Sequence, residues 1–269
     1  MRALMINIIK LGLILGPVLL VWAVFVEPNL LEVKKYKMSA KGLQGIKIVF
    51  LSDLHLAPSH GKKLQKIVAA VNGQKPDIIL LGGDYVKGHK GSTSMKASDI
   101  AAGLSHLKAK HGIYAVLGNH DGWYNAQSIE QEFSKQNIRV LKNKNIAVKI
   151  KEGTSFYLVG LEDYYTGKPD MVSALKETKN PVIVLSHSPD VFPDVPPSVD
   201  LTLAGHTHGG QVKLPFWGAI LTSSIYGTKY AEGFIEQGGK KMIVTKGIGT
   251  SLLPLRFNCR PEIVVIEFE

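Results

Sequence analysis

Seven side chains of three types stand in short polar clusters: Asp53 and His55 in "LSDLH", Asp84 in "GGD", Asn119 in "GNHD", His187 in "LSH", and His206 and His208 in "AGHTHGG". Carboxylate, amide and imidazole donors suit borderline or hard divalent cations such as Mn²⁺, Zn²⁺ or Fe²⁺. The single cysteine, Cys259, excludes an intrachain disulfide and any thiolate-rich zinc module. Seven ligands exceed the needs of one tetrahedral ion. They suit two ions about 3.5–4 Å apart that share a bridging carboxylate, the arrangement used in phosphate-ester hydrolysis. "LAGHTHGGQ" by itself leaves two readings open, a ligand pair or a polar turn. The other four clusters favour the ligand pair.

Each cluster follows an apolar run: "IKIVF", "IILL", "IYAVL", "VIVL" and "LTLA". Runs of four or five β-branched and apolar residues bounded by glycine and polar residues are expected to form buried strands. The clusters then lie past the carboxyl ends of the strands, where ligands collect in layered α/β proteins. Between them, "KKLQKIVAAVNGQ" and "ASDIAAGLSHLKAK" have amphipathic helical periods, and residues 128–136 carry a weaker one. Past about residue 125 the pattern becomes strand-rich: "NIAVKI", "SFYLVG", "KKMIVT" and "PEIVVIEF". The expected fold class is α/β, with two packed sheets and helices outside in one domain over residues 45–269.

Asp-x-His, Gly-Asp, Gly-Asn-His-Asp, His and Gly-His-x-His, in this order over nearly all of residues 46–210, resemble the calcineurin-like metallophosphoesterase superfamily. "GGDYV", "GNHDGWY", "LSHSPD" and "GHTHGGQ" behind an apolar N-terminus are similar to its bacterial membrane-associated branch, which includes a UDP-2,3-diacylglucosamine pyrophosphatase. The resemblance implies a four-layer αββα sandwich of two mixed β-sheets flanked by helices. It also implies two divalent metal ions, with Mn²⁺ preferred over Zn²⁺ or Fe²⁺. Asp53, His55 and His208 would bind the first, Asn119, His187 and His206 the second, and Asp84 would bridge them. Phosphodiester or pyrophosphate bonds would be cleaved by metal-hydroxide attack. His120 would stabilise the transition state or protonate the leaving oxygen, and Asp121 would orient its ring or, alternatively, cap the next segment. Purple acid phosphatases carry a tyrosine three residues after the bridging aspartate. Lys87 stands there in this chain, with Tyr85 beside Asp84 instead, so a ferric-tyrosinate site is not expected.

Other polar residues match no motif position. His60, His89, His106 and His111 are expected to be surface or structural histidines, with substrate contact open for His60 and His89. In "KGIGTSLLPLRFNCRPE", Arg256 or Arg260 could clamp a phosphate, or the segment could simply join the last strands. "EDYYTG" is equally ambiguous.

The first 28 residues are of a different kind. "LGLILGPVLLVWAVFV" has no charged side chain, and extended back to Ala3 it is long enough to cross a bilayer with Lys10 at the interface. A retained N-terminal transmembrane helix is expected, because no small-x-small cleavage site follows the run. Residues 29–44 are expected to form a basic linker. More Lys and Arg follow the span than precede it, which predicts a single-pass inner-membrane protein with its catalytic domain on the cytoplasmic face. The formal charge of +10 biases the surface towards anionic partners, but the lysines are scattered and no nucleic acid is expected. A phosphorylated substrate is expected, lipid-linked if the anchor holds the site at a bilayer, with UDP-2,3-diacylglucosamine as the example the resemblance supplies. Two alternatives stay open: a phosphodiesterase or phosphatase acting on a soluble substrate, and an inactive scaffold. Scaffolds lose ligands, and every ligand position is filled here.

Overall fold

The structure is a computed structural model and describes residues 15–88, 92–151 and 154–269. Its apolar runs are too short for helices, and they pair as strands in two six-stranded mixed sheets. The first sheet has the order β1 (Glu32–Met38), β14 (Glu262–Phe268), β2 (Lys47–Leu51), β3 (Ile78–Leu81), β4 (Ile113–Ala115) and β5 (Ile138–Val140). In the second the order is β12 (Gly233–Gln237), β13 (Lys240–Val244), β9 (Leu201–Ala204), β8 (Val182–Leu185), β7 (Thr154–Gly160) and β6 (Lys144–Lys151). From β2 to β5, and from β13 to β7, neighbouring strands are parallel, so their carboxyl ends emerge on one edge of each sheet.

Strand alternation divides the core into layers. Ile48 and Phe50 point to the space between the sheets, where they meet Leu80, Phe156, Leu185 and Leu203. Val49 and Leu51 point the other way, onto Leu64 and Ile67 of α2 (Gly61–Gly73), Ile100 of α3 (Ala97–Leu104) and Phe133 of α4 (Asn119–Lys135). Strands covered on both faces must be apolar throughout, hence the unbroken runs in the sequence. The outer face of the second sheet is covered more thinly, by Ala174 of the four-residue α5 (Met171–Ala174), Phe192 and Tyr230. Two mixed sheets flanked by helical segments are therefore present as expected.

Several sequence expectations change. The second amphipathic helix stops at Leu104, because Asn72 takes over the backbone beyond it: its side chain bonds His106 O at 2.9 Å and Lys108 N at 2.8 Å. The weak helix expected over 128–136 is the end of α4, which begins at Asn119 inside a polar cluster and kinks at Asn125. Within the 29–44 segment expected to be a linker, Glu32–Met38 forms an edge strand, parallel to β14. Lysines along an exposed edge protect it from pairing with another chain, and the same lysines hide the strand in the sequence.

The expected transmembrane helix lies partly outside the described residues, and no helix of the described residues is long and apolar enough to cross a membrane. Residues 15–21 are helical (α1) and continue as a wide turn over Trp22–Val26 and a 3-10 turn over Glu27–Asn29. The end of this segment is fixed to the two-sheet body. Buried Glu27 accepts hydrogen bonds from Trp22 Nε1 (2.9 Å) and from the Cys259 backbone (2.5 Å), and Arg256 N donates to Ala23 O at 2.9 Å.

Candidate metal centre

The polar clusters meet where the two parallel sets of strands end. Asp53 and His55 follow β2, Asp84 follows β3, Asn119 opens α4 after β4, His187 follows β8, and His206 and His208 follow β9. Ligand atoms of Asp53, His55 and His208 lie within 4.8 Å of one another, as do those of Asp84, His187 and His206. Asp84 stands between the groups, its Oδ2 3.5 Å from His55 Nε2 and 3.4 Å from His187 Nε2. Asn119 Oδ1 is 3.1 Å from His187 Nε2 and so joins the second group. The structure thus brings all seven residues together, and a third grouping of His55, Asp84 and His120 overlaps the other two.

Backbone conformation carries a second sign of function. Asp53, His55, Asp84, His206 and His208 all have positive φ, between 43° and 70°. For residues with a Cβ this region is sparsely populated and strained, and such strain concentrates where side-chain direction matters more than backbone comfort. Tight spacing needs glycine nearby: a Cβ on Gly118 would lie 2.3 Å from Asp84 Oδ1, and one on Gly205 2.4 Å from Asp53 Oδ2.

The donor set and its surroundings fit cations. His55 Nε2 and His208 Nε2 approach to 3.0 Å, and His206 Nδ1 and His187 Nε2 to 3.1 Å, so ring nitrogens converge in pairs beside carboxylates. His55 Nδ1, His206 Nε2 and His208 Nδ1 are buried without a hydrogen-bond partner among the described residues, a cost that folded proteins tolerate mainly at functional sites. Burial pushes His55 down to about 3 and His206 down to about 4, leaving both rings neutral with a lone pair to donate. Asp53 is raised to about 6 by burial, with the Asp84 charge adding to the rise. At Asp84 burial acts the other way from the His187 and His55 rings, and the rings prevail, holding it below the usual carboxylate range. The ionised Asp84 carboxylate beside the neutral His55 and His206 rings therefore offers negative charge and lone pairs to a cation at that point.

His120 sits beside this cluster. Its ring centroid is 4.6 Å from that of His55, its Nδ1 is 3.0 Å from Lys87 O, and its Nε2 is 3.4 Å from Ser251 Oγ. Its backbone N–H donates to Asp84 Oδ1 at 2.8 Å, so the N-terminus of α4 faces the central carboxylate, where the helix dipole favours negative charge.

Of the two roles open for Asp121, orienting the His120 ring or capping the next segment, its contacts are those of a cap that also reaches the Asp84 loop. Its two oxygens accept backbone N–H groups of Asp84 (2.7 Å), Tyr85 (2.9 Å), Val86 (3.3 Å) and Gly118 (3.0 Å). The reason is the start of α4 at Asn119: it places Asp121 in the first turn, aimed back at the two loops that carry Asp84 and Asn119. Asp121 is a positioning residue for the Asp84 loop. Asp121→Ala is expected to weaken cation affinity about 10–100-fold, the usual cost of losing a hydrogen bond behind a metal ligand. Calorimetric titration with Mn²⁺ checks this separately from activity.

The remaining candidates fall outside the ligand set. Tyr85 is buried with its hydroxyl donating to Leu81 O and Val116 O, pointing into the sheet. Arg256 is fully buried and its guanidinium donates to the carbonyls of Lys246, Gly247, Gly249 and Cys259. It braces the 246–259 loop under Asp53 and His55 and has no donor left for a phosphate; Arg260 is exposed. His60 accepts from Ala57 N at 3.1 Å, His106 and His111 lie away from the cluster, and His89 falls outside the described residues. Sequence reasoning left Tyr165 ambiguous and did not single out Ser251. Tyr165 stacks on His206 with ring centroids 4.8 Å apart and donates to Asp190 Oδ2 at 2.6 Å. Its signal was position, since "EDYYTG" follows strand β7 as the ligand clusters follow theirs.

Residues 46–210, which carry the whole ligand set, match the family model described as calcineurin-like phosphoesterase. The chain belongs to the calcineurin-like phosphoesterase family. It is 34% identical to the phosphodiesterase YaeI of Escherichia coli (strain K12), over 90% of each chain. It is 32% identical to the metallophosphoesterase YkuE of Bacillus subtilis (strain 168), over 91% of this chain and 87% of that protein. A Danio rerio transmembrane protein with a metallophosphoesterase domain is 31% identical over 84% of this chain and 54% of its own length. This calcineurin-like chain is accordingly a metal-dependent phosphoesterase.

Proposed function

We propose that the chain hydrolyses phosphodiester or pyrophosphate bonds at a two-cation site, with Asp53, His55 and His208 holding one cation, Asn119, His187 and His206 the other, and Asp84 shared. The observation that carries this is the convergence of ligand atoms into overlapping groups, Asp53–His55–His208 and Asp84–His187–His206, bridged by the approach of Asp84 Oδ2 to both His55 and His187. The name of the phosphodiesterase YaeI supports the diester class. When bound, a pair of divalent cations lowers the pKa of a coordinated water and neutralises charge on phosphoryl oxygens. The nitrogen and oxygen donor set suits Mn²⁺, Zn²⁺ or Fe²⁺, and Mn²⁺, which the family resemblance favours, is the ion proposed.

The chain's own residues supply the rest. Asp121 and Gly118 hold the Asp84 loop against the start of α4, so the central carboxylate does not have to reorganise. His120 stands at the rim with Nε2 towards Ser251, in a position to give a proton to a leaving oxygen, and Lys87 O fixes the ring through Nδ1. Tyr165 forms a wall over His206.

The apolar N-terminus and the transmembrane relative support a membrane-anchored enzyme, with residues 45–269 as the catalytic domain and a lipid-linked phosphorylated substrate such as UDP-2,3-diacylglucosamine. The lysines after the apolar run support the cytoplasmic face. Protein stripped with a chelator and reloaded with Mn²⁺, Zn²⁺ or Fe²⁺ tests the reading on bis(p-nitrophenyl) phosphate, p-nitrophenyl phosphate and UDP-2,3-diacylglucosamine. Chelation is expected to abolish turnover and lower the thermal midpoint, and Mn²⁺ to restore both. Turnover of the simple diester without turnover of the lipid would move the substrate to the soluble class. Activity that survives chelation would overturn the two-cation reading.

A further inference from the structure

The loops that frame the metal centre end in large apolar side chains with nothing over them. β10 (Lys213–Leu214) and β11 (Gly218–Ala219) form a two-stranded hairpin whose turn is Pro215, Phe216 and Trp217. Phe216 is fully exposed and Trp217 is 85% exposed. Ile220 and Leu221 follow, 61% and 76% exposed, and on the neighbouring loop Leu252 is fully exposed with Leu253 at 59%. A soluble fold gains nothing from holding a phenylalanine and a tryptophan at the tip of a short hairpin, and contiguous apolar surfaces of this kind mark interaction sites.

These residues belong to one surface, and that surface borders the site. The hairpin loop and the 251–257 loop are joined by Lys213 N to Phe257 O (2.9 Å), Phe257 N to Gln211 O (2.8 Å), and the Gln211 side chain to Leu253 O (3.2 Å) and Ser251 N (2.6 Å). Ser251 touches His120, Ser223 Oγ donates to His206 O at 2.8 Å, and Gln211 N donates to His208 O at 3.0 Å. Trp22, at the end of the apolar N-terminal stretch, lines the same cavity of about 590 Å³ as Pro215, Phe257 and Arg260. Along that stretch Val18, Leu20, Val21 and Phe25 are exposed.

We infer that the Pro215–Trp217 hairpin tip, with Ile220, Leu221, Leu252 and Leu253, dips into the bilayer surface beside the N-terminal segment and seats the mouth of the metal centre on the membrane. This inference rests on the membrane-anchored part of the proposed function. Three observations select a bilayer over a protein partner. The aromatic side chains stand at the tip of the hairpin, Phe216 fully exposed and Trp217 nearly so; the hairpin adjoins the apolar stretch 15–25 across the cavity that Trp22 and Pro215 both line; and exposed Lys34, Lys35, Lys229 and Arg260 stand on neighbouring segments, a composition that suits anionic headgroups around an aromatic tip. A phosphate-bearing lipid headgroup could then reach the ligand cluster without its acyl chains leaving the bilayer.

The test uses the full chain with Phe216→Cys, labelled with an environment-sensitive fluorophore and mixed with phosphatidylethanolamine–phosphatidylglycerol vesicles containing shallow spin-labelled lipid. Native Cys259 is buried and does not compete for label. Lys149→Cys, on the exposed far end of β6, is the control. The label at 216 is expected to shift to the blue and lose most of its intensity to the quencher, while the label at 149 does neither. Protein that floats with the vesicles but keeps an aqueous label at 216 overturns the seating surface and leaves the anchor intact. Protein that does not float overturns the anchor and the seating together. A blue shift at 216 that grows with protein concentration in the absence of vesicles overturns the bilayer as occupant in favour of a second copy of the chain.

Discussion

Asp84→Ala is expected to remove phosphoesterase activity and to reduce bound cation from two per chain to at most one. The carboxylate stands 3.5 Å from His55 Nε2 and 3.4 Å from His187 Nε2, so it links a ring of one ligand group to a ring of the other. Removing it leaves each group short of a negatively charged oxygen, and the remaining donors are mostly neutral imidazoles. The loss should exceed the ~10–100-fold typical of an outer hydrogen-bond partner, and so exceed that of Asp121→Ala. Because Asp84 Oδ1 also accepts the His120 N–H, a purely structural collapse must be separated from cation loss. Asp84→Asn keeps the shape and an acceptor but loses the charge. Metal content by mass spectrometry and helicity by circular dichroism make the separation: full cation occupancy in a folded Asp84→Asn protein would sink the shared-carboxylate assignment.

His120→Ala is expected to lower turnover of diesters with poor leaving groups about 10²–10⁴-fold, the range for loss of a positioned proton donor, with little change for p-nitrophenyl esters. A nitrophenolate leaves without a proton and an alkoxide does not, so the ratio between the two substrates isolates the donor from general damage at the site. The substitution keeps the backbone N–H that meets Asp84 and removes only the ring between Lys87 O and Ser251 Oγ. Cation stoichiometry should therefore stay at the wild-type value. An equal loss on both classes of leaving group would show that His120 shapes the site or stabilises charge without transferring a proton.

The candidate ligands were legible in the sequence because each polar cluster follows a run that only a strand buried on both faces tolerates, and parallel strands deliver their carboxyl ends to a common edge. The same logic fails wherever a role depends on the exact start of an element. Asp121 follows His120 by one position, which suggests contact with its ring. α4 begins at Asn119, however, and the first-turn aspartate turns back to cap backbone N–H groups of the Asp84 loop. For Arg256 the sequence left open a phosphate clamp or a loop joining the last strands, and the fold decides for the loop, with the guanidinium spent on carbonyls. β1 was hidden by its lysines, because an edge strand in water has no apolar pattern to display.

By itself the sequence determined the donor types, their order along the chain and their attachment to strand ends, since these follow from local hydrophobic pattern and side-chain chemistry. Only the tertiary structure decided which donors share a point in space, and it did so through left-handed backbone at Asp53, His55, Asp84, His206 and His208 that no local propensity favours. It also decided that the N-terminal stretch, the hairpin tip and the 251–257 loop lie together beside the site. Those contacts join residues from about 40 positions apart, as Gln211 and Ser251, to more than 200, as Glu27 and Cys259, and no periodicity within a segment can report them.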